Sequence, residues 1–227
     1  MDHVLDNPVW NALSSGNKNL AEGNERIKYF DPQVSPFVGF KDNTEASFEE
    51  LYHMAPVGRV FGFVSPVEVE MPAPWEVLVY IKCLQMVHNQ NTVVPVDTTV
   101  ELIPLTEKDI PQMLALTKLT NPGPFAERTI DFGHYHGMFD GDKLVAMAGQ
   151  RMHVFNYAEA SAVCTHPGYL GRGYAKKVLQ FQVQRILAAA EIPFLHVRHD
   201  NERAFRVYES LGFATRKTIH FYIIKKI

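Results

Sequence analysis

Apolar and polar positions follow two different periods along the chain, and these periods predict where helices and strands form. In the first half, residues 46–54 have the spacing of an amphipathic helix. Runs of β-branched and aromatic residues at 59–64 and 77–83 predict strands. With a short helix over 7–13 and a strand over 26–30, this half is expected to form a small α/β unit.

The second half of the chain has clearer sequence signals for helices and strands. A helix is predicted over 106–119, because Thr106 can cap it and the Asn-Pro-Gly-Pro run at 121–124 would end it. The other predicted elements are, in chain order, strands at 98–103, 135–139, 143–155 and 159–165, a helix at 171–190, a strand at 193–198, a helix at 202–211 and a strand at 214–225. The order β-α-β-β-β-α-β-α-β predicts a mixed sheet with helices on its faces.

The chain divides most naturally at a polar stretch over 91–97, which carries Pro95. We therefore predict an N-terminal α/β unit over residues 1–95 and a second domain over residues 96–227.

Composition narrows the class of protein. The 227 residues are 46% hydrophobic and 21% charged, with a formal net charge of −3, which is the balance of a soluble globular chain. No basic run suggests a nucleic-acid partner, and no stretch approaches the ~20 apolar residues that span a membrane. Cys83 and Cys164 are too few for a disulfide framework or a four-thiolate zinc site. Since the start lacks a secretory signal, a cytoplasmic location is expected.

A glycine-rich turn between a strand and a helix is the strongest candidate site. Residues 163–175 read VCTHPGYLGRGYA, which is an apolar strand followed by Gly168, Gly171 and Gly173 and then an unbroken helix. Glycine permits positive φ and close approach of a ligand to the backbone. Consecutive N–H groups in such a turn, with the positive end of the next helix, form a phosphate site. A purely structural turn is the alternative on the glycines alone, and neither a P-loop nor a dinucleotide fingerprint fits.

This turn resembles motif A of the GNAT superfamily of N-acyltransferases, in which Arg/Gln-x-x-Gly-x-Gly/Ala cradles the pyrophosphate of CoA. The matching residues are Leu170, Gly171, Arg172, Gly173, Tyr174 and Ala175. The first position departs from the family pattern, because Leu170 stands where the family has Arg or Gln. The backbone cradle does not depend on that side chain.

The resemblance covers about residues 100–225 and implies a GNAT-like α/β fold, with a mixed, mostly antiparallel sheet flanked by helices. It also implies that backbone groups of Val163, Cys164 and Thr165 bind the pantetheine arm of acetyl-CoA or another acyl-CoA. The runs SAVCTHP at 161–167 and FLHVR at 194–198 resemble the glycine N-acyltransferase-like branch. The first half resembles the extra N-terminal region of that branch and is expected to help shape the amine pocket.

The predicted helix at 202–211 carries a second signature. Asn201, Ala204, Tyr208 and Leu211 share one helix face, which is either a core edge or a ligand wall. In GNAT enzymes the tyrosine at the position of Tyr208 is the general acid beside the CoA sulfur, and residues matching Asn201 and Ala204 contact the cofactor. A thiol has a pKa near 8.5 and a tyrosine near 10, so the proton transfer is uphill by about 2 kcal/mol.

The attacking amine must be neutral, and this requirement makes a base useful. An α-amine with a pKa near 8 is about a tenth neutral at pH 7, whereas a lysine near 10.4 is neutral to well under a thousandth. Strand alternation places Glu159, Ser161, Val163 and Thr165 on one face. Glu159 is the candidate base, with a solvated strand-end carboxylate as the alternative.

Three readings of function follow from the residues and the resemblance. The first is an enzyme that transfers an acyl group, most simply acetyl, from acyl-CoA to a small-molecule amine or amino acid by direct attack. The second is a non-catalytic acyl-CoA-binding regulatory module, and the third is a transferase that uses another acyl carrier. Cys164 is predicted to be a buried apolar residue rather than a nucleophile, and no metal site is predicted from the scattered histidines. A homodimer remains open.

Overall fold

The structure, a computed structural model, describes residues 3–92 and 101–227. In these ranges the α-helices are α1 (Pro8–Ser14), α2 (Glu45–Met54), α3 (Ile110–Thr120), α4 (Tyr174–Ala188) and α5 (Glu202–Glu209). The strands are β1 (Ala21–Gly23), β2 (Ile27–Phe30), β3 (Phe37–Phe40), β4 (Val60–Ser65), β5 (Trp75–His88), β6 (Ile103–Pro104), β7 (His136–Asp140), β8 (Lys143–Val154), β9 (Tyr157–Thr165), β10 (Ile192–Arg198) and β11 (Phe213–Lys226). Residues 98–100 of the strand predicted at 98–103 lie outside the described residues.

Local signals set the ends of the helices around the site. Thr106 and Asp109 form a capping box, in which the Thr106 N–H donates to Asp109 Oδ2 at 2.8 Å, and the helical segment starts there as predicted. Asn121 ends α3 in the left-handed conformation, with φ of 47°. Helix α4 begins at residue 174 rather than at the predicted 171, because Gly171 and Gly173 have φ of 79° and 75°, outside the helical range.

All eleven strands of the described ranges belong to one sheet. Its order is β1-β2-β3-β4-β11-β5-β10-β9-β8-β7-β6. The pairs β3–β4 and β9–β10 are parallel, and the other pairs are antiparallel. The predicted mixed sheet, mostly antiparallel and flanked by helices, is confirmed.

Strand β5 joins the two halves of the chain. It comes from the first half, yet it lies between β10 and β11 and pairs with both, so that Leu84 is opposite both Val197 and Thr218. The predicted boundary at 91–97 therefore follows a strand that completes the sheet of residues 101–227. The two halves share hydrogen-bonded backbone and not only a packed surface.

Two apolar layers cover the sheet around the site. One layer combines Leu13 and Phe37 of the first half with Met147 and Phe194 of the second. On the opposite face, α4 and α5 pack over a cluster that includes Leu195. None of the helices in the described part of the chain combines the length and apolar composition of a membrane span.

Candidate active site

A cleft opens between β9 and β10. The two parallel strands are paired only at residues 157–159 and 192–194, although β9 continues to Thr165 and β10 to Arg198. Beyond that point β10 pairs with β5 on its other side. The strands therefore separate toward their carboxyl ends, which is the edge where ligands bind in sheets with parallel strands.

A bulge in β9 lies where the strands separate. Ser161 is opposite Gly149 and Cys164 is opposite Met147, so one extra residue is inserted in β9, and Ala162 has φ of 53°. A positive φ is uncommon for alanine and is found where the surroundings impose it, often at functional sites.

The bulge corrects one prediction from strand alternation. Glu159 was expected to share a face with Val163. Instead Val163 packs with the cluster under α4 and α5, whereas Ala162 packs with the layer on the opposite face, which also holds Phe194 beside His196. The inserted residue reverses the alternation, because it moves every later side chain to the other face.

The glycine turn presents free backbone donors beside this cleft. Gly173 is the N-cap of α4 and supplies no side-chain cap, so the first N–H groups of the helix are left for a ligand. A Cβ built on Gly171 or Gly173 would meet no atom within 4 Å, so it is the positive φ that requires glycine and the space beside the turn is open. Arg172 lies over the Tyr169 ring at 4.8 Å.

These features fit the phosphates of CoA. The turn offers N–H donors, a helix N-terminus and the exposed cation of Arg172, while Leu170 is half exposed and can contribute only its backbone to an anion. At the end of β9 the Thr165 hydroxyl oxygen is buried without a hydrogen-bond partner. A buried polar atom without a partner is uncommon in proteins, and a ligand lying along this strand would supply one.

Helix α5 brings Tyr208 to the cluster that Val163 also borders. No described group hydrogen-bonds to its hydroxyl, and burial raises the pKa of Tyr208 to about 12. Asn201 caps α5, since its Oδ1 accepts from the Ala204 N–H at 3.1 Å, and its side chain is exposed. The predicted cofactor residues on α5 and on β9 thus lie on elements that border one cleft.

Glu159 does not have the properties predicted for a base. Its carboxylate is 1% exposed and forms a bidentate ion pair with Arg151, at 2.6 Å and 2.9 Å. His196 Nδ1 lies 2.7 Å from the same carboxylate. Burial raises the pKa of Glu159, but Arg151 and His196 outweigh that effect and hold the pKa well below its usual range. A carboxylate held this way is a poor proton acceptor, and it is not a solvated strand-end group either.

The ion pair belongs to a buried polar network. The Gln85 amide nitrogen lies 3.0 Å from His196 Nε2, and because an amide nitrogen can only donate, His196 accepts there and donates from Nδ1 to Glu159. Burial lowers the pKa of His196, which keeps the ring neutral. Arg216 donates to Gln85 Oε1 and to Asp6, so the network reaches the first residues of the chain.

A small pocket lies on the same face of the sheet. It is lined by Pro122, Gly123, Pro124, Phe125, Thr129, Tyr135, Arg151, Ser161 and Ala162. It therefore lies between the loop after α3 and the bulge of β9, and its volume of about 10 Å³ has room for about one water molecule. The first half supports this pocket, because Thr129 Oγ1 donates to the Val34 carbonyl at 2.7 Å.

Other candidate chemistry remains structural. Cys164 is 5% exposed, and burial raises its pKa to about 12, so the thiol is held protonated and away from solvent. Among residues 3–92 and 101–227, no group of His, Cys, Asp and Glu is arranged to hold a metal ion.

Sequence reasoning missed Arg151, His196 and Gln85. Arg151 and His196 lie inside predicted strands, and Gln85 lies just after the strand predicted at 77–83. The available signal was the presence of charged and polar residues within otherwise apolar strands, since buried charges are normally paired.

Comparison with known proteins agrees with the geometry. The family described as FR47-like protein matches residues 135–222. The chain is 34% identical over 84 residues to N-alpha-acetyltransferase RimI of Mycobacterium tuberculosis, a match that covers 35% of this chain and about half (51%) of that relative's length. A GCN5-related N-acetyltransferase from Kribbella flavida shares the fold, with a TM-score of 0.61, 12% identity and 95% of each chain covered.

A much closer structural relative decides the family. The crystal structure of a GNAT-family protein from Novosphingobium aromaticivorans has a TM-score of 0.91 and 35% sequence identity, over 100% of both chains. Similarity at that level over the full length, together with a split sheet and a glycine turn at the expected edge, means that this chain belongs to the GNAT family of acyl-CoA-dependent N-acetyltransferases.

Proposed function

We propose that this protein transfers an acetyl group from acetyl-CoA to the primary amine of a small molecule or amino acid. The observation that carries the proposal is the cleft between β9 and β10, which has the donor-rich turn at its edge and Tyr208 on the helix beside it. Acetyl-CoA would supply the acetyl group and a thiolate leaving group. Val163, Cys164 and Thr165 would hold the pantetheine arm, and residues 170–175 would hold the phosphates.

Tyr208 would act as the general acid in this reaction. Its hydroxyl has no described hydrogen-bond partner, so it can donate to the sulfur that leaves. Burial keeps the phenol protonated, and a protonated donor stabilises a developing thiolate most in a site that excludes water. A module that only binds acyl-CoA has no need of this phenol, which favours the enzyme over the regulatory alternative.

The acceptor is best explained as an α-amine. With Glu159 engaged by Arg151, this candidate base is not free to accept a proton from the amine. An α-amine with a pKa near 8 needs a base least, since about a tenth of it is neutral at pH 7. The relative from Mycobacterium tuberculosis is named an N-alpha-acetyltransferase, which agrees with this choice. Membership of the glycine N-acyltransferase-like branch remains a prediction.

Binding of acetyl-CoA is the first expected result. A ligand at a hundredfold excess over its Kd stabilises the folded state by about 2.7 kcal/mol, which would raise the Tm of a chain this long by about 5–10 °C. A thermal-shift titration with acetyl-CoA, CoA and ATP measures it. If ATP stabilised the protein as much as acetyl-CoA did, the turn would be a general phosphate site and the proposal would fail.

Substituting Gly173 with alanine is expected to weaken acetyl-CoA binding about tenfold. Alanine at φ of 75° is strained by roughly 1–2 kcal/mol, and relief of that strain would turn the N–H donors away from the phosphates. Gly58→Ala is a matched control, because Gly58 has φ of 77°, equally open surroundings and a place far from the cleft. Calorimetric Kd values for CoA distinguish the two, and equal Kd values would assign Gly173 to structure alone.

A further inference from the structure

One strand edge in the middle of the sheet is unpaired, and it belongs to β5. This strand has 14 residues, but β10 pairs only with residues 83–87 of it. On its other side, β5 pairs with β11 over its whole length, from Trp75 to His88. Among the described residues, no strand therefore pairs with residues 75–82 on the side of β10.

The unpaired part of β5 is apolar and exposed. Val77, Leu78, Val79 and Tyr80 are consecutive, and each is between 41% and 45% exposed. Proteins usually protect a free strand edge by keeping it short or charged. The two outermost strands of the described sheet follow this rule, since β1 has three residues and β6 has two. The edge of β5 is longer and more apolar, which is typical of a surface that pairs with another strand.

A charge of opposite sign lies at each end of this apolar run. Glu76 precedes the run and Lys82 follows it, and both side chains are exposed. Neither side chain forms an ion pair with another described residue. The His199 N–H donates to the Lys82 carbonyl at 3.1 Å, so the free edge ends there. Residues 76–82 thus form an edge with an acidic end and a basic end.

The order of these charges selects the direction of an added strand. If a second copy of the same edge pairs in the antiparallel direction, Glu76 lies near the partner's Lys82, and Lys82 lies near the partner's Glu76. A parallel copy would place like charges side by side, which is unfavourable. The edge is therefore complementary to itself in the antiparallel direction.

A bulge in β5 limits how far such pairing extends. Val79 is opposite Ile223 and Val77 is opposite Ile224, so Leu78 is an extra residue in β5. A bulge increases the local twist of an edge and works against open-ended stacking of strands. Antiparallel copies are related by a two-fold axis, so each uses the edge of the other and association ends at a dimer.

We propose that the protein forms a homodimer in which residues 76–82 of β5 pair antiparallel with the same residues of a second copy. The free backbone groups of both edges would then be hydrogen-bonded, and Val77 to Tyr80 would lose exposed apolar surface. Because the shared edge is short, the interface would be small, below about 1,200 Å² in total, as in weak complexes. The inference does not depend on acetyl transfer.

Sedimentation equilibrium of the full chain measures the dimer directly. We expect the protein to pass from monomer to dimer between about 1 µM and about 300 µM, the range of Kd typical of weak complexes. Glu76→Lys and Lys82→Glu would each create two like-charge contacts in a homodimer. Each change is therefore expected to raise the Kd of the dimer about 10- to 100-fold.

Glu22→Lys is the matched control for these charge reversals. Glu22 is an exposed glutamate on β1, at one end of the sheet, and its reversal changes the net charge as much as Glu76→Lys does. The Kd of the dimer should stay at the parental value. Far-UV circular dichroism and the Tm show that each variant is folded.

A mixture of the two single variants is the sharpest test. In a pair made of one Glu76→Lys chain and one Lys82→Glu chain, each lysine of the first chain lies near a glutamate of the second. The mixture should therefore recover the parental Kd to within about threefold, and so should the double variant Glu76→Lys/Lys82→Glu.

Three results would overturn the inference while leaving the proposed acetyl transfer untouched. If the parent stays monomeric at the highest concentration, the bulge and the charges protect the edge from pairing. If the parent dimerises and neither single reversal weakens the dimer, the dimer uses another surface. If the single variants are monomeric and their mixture is monomeric too, the two edges do not pair in the antiparallel direction.

Discussion

Replacing Tyr208 with phenylalanine is expected to lower kcat for acetyl transfer roughly 100-fold, with little change in the affinity for acetyl-CoA. The ring would keep its packing beside Phe213, at 6.3 Å between centroids, so the loss would fall on the hydroxyl alone. A loss of kcat with an unchanged Kd identifies an interaction made mainly in the transition state. Steady-state kinetics and calorimetry on the same preparation measure the two quantities.

The structure raises the free-energy cost expected for proton transfer from Tyr208 to the leaving thiolate. Burial raises the pKa of Tyr208 to about 12. Against a thiol near 8.5, full transfer from a phenol of that pKa would be uphill by about 3.5 units, or about 5 kcal/mol. The proton therefore moves late, as a hydrogen bond that strengthens while negative charge develops on the sulfur.

The same pKa gives the Tyr208 prediction a second readout. The phenol stays protonated over the pH range in which the acceptor amine titrates. We therefore expect kcat/KM to rise through the pKa of that amine, near 8, and to stay level to about pH 10. A fall between pH 8 and 10 that disappears in Tyr208→Phe would mean that the phenol ionises far below 12.

Tyr52→Phe is the matched control for the kinetic result. Tyr52→Phe also removes one phenol hydroxyl, which donates to the Ile227 carbonyl at 2.9 Å, but Tyr52 lies on α2 and packs with the cluster around Phe48 and Trp75. Its kcat should equal that of the parent. If Tyr208→Phe retained the parent kcat as well, Tyr208 would be a wall of the cleft and the general acid would have to be sought elsewhere.

The parts of this site that the sequence predicted are those with local causes. Gly171 and Gly173 lie in a turn whose backbone requires positive φ, so their spacing was visible in thirteen consecutive residues. Thr106 and Asp109 form their cap within four residues. Asn201 likewise caps α5 by accepting from the N–H of Ala204, three residues later. Such features need no knowledge of the rest of the chain.

The parts that escaped prediction depend on distant segments. The insertion of β5 between β10 and β11 pairs residues more than 100 positions apart, and no local pattern specifies that register. The bulge at Ala162 has no glycine to mark it. Because of this bulge, the prediction that Glu159 and Val163 share one face of the strand was wrong. Glu159 looked like a free strand carboxylate because its partner Arg151 comes from the neighbouring strand.

Glu159→Ala is expected to lower the free energy of unfolding by about 3–5 kcal/mol, the usual effect of removing one member of a buried ion pair. The change would leave the Arg151 guanidinium buried without a counter-charge and would take the acceptor of His196 Nδ1 away. Urea denaturation measures it, with the m-value as a check that the unfolded states are alike. Glu50→Ala is the control, because Glu50 pairs with a largely exposed Arg26 and should matter by less than about 1 kcal/mol.

The pH dependence of stability provides an independent test of the contribution of this ion pair. The pKa of Glu159 is depressed in the folded state, so its contribution is complete above the unfolded value near 4.3 and is lost as the pH falls toward the folded pKa. The parent should therefore lose stability below about pH 5 more steeply than Glu159→Gln, which has no proton to bind there. If both proteins lost stability in parallel, the ion pair would contribute nothing net to folding. Arg151 would then owe its position to the Phe37 ring, which lies 4.9 Å from its guanidinium.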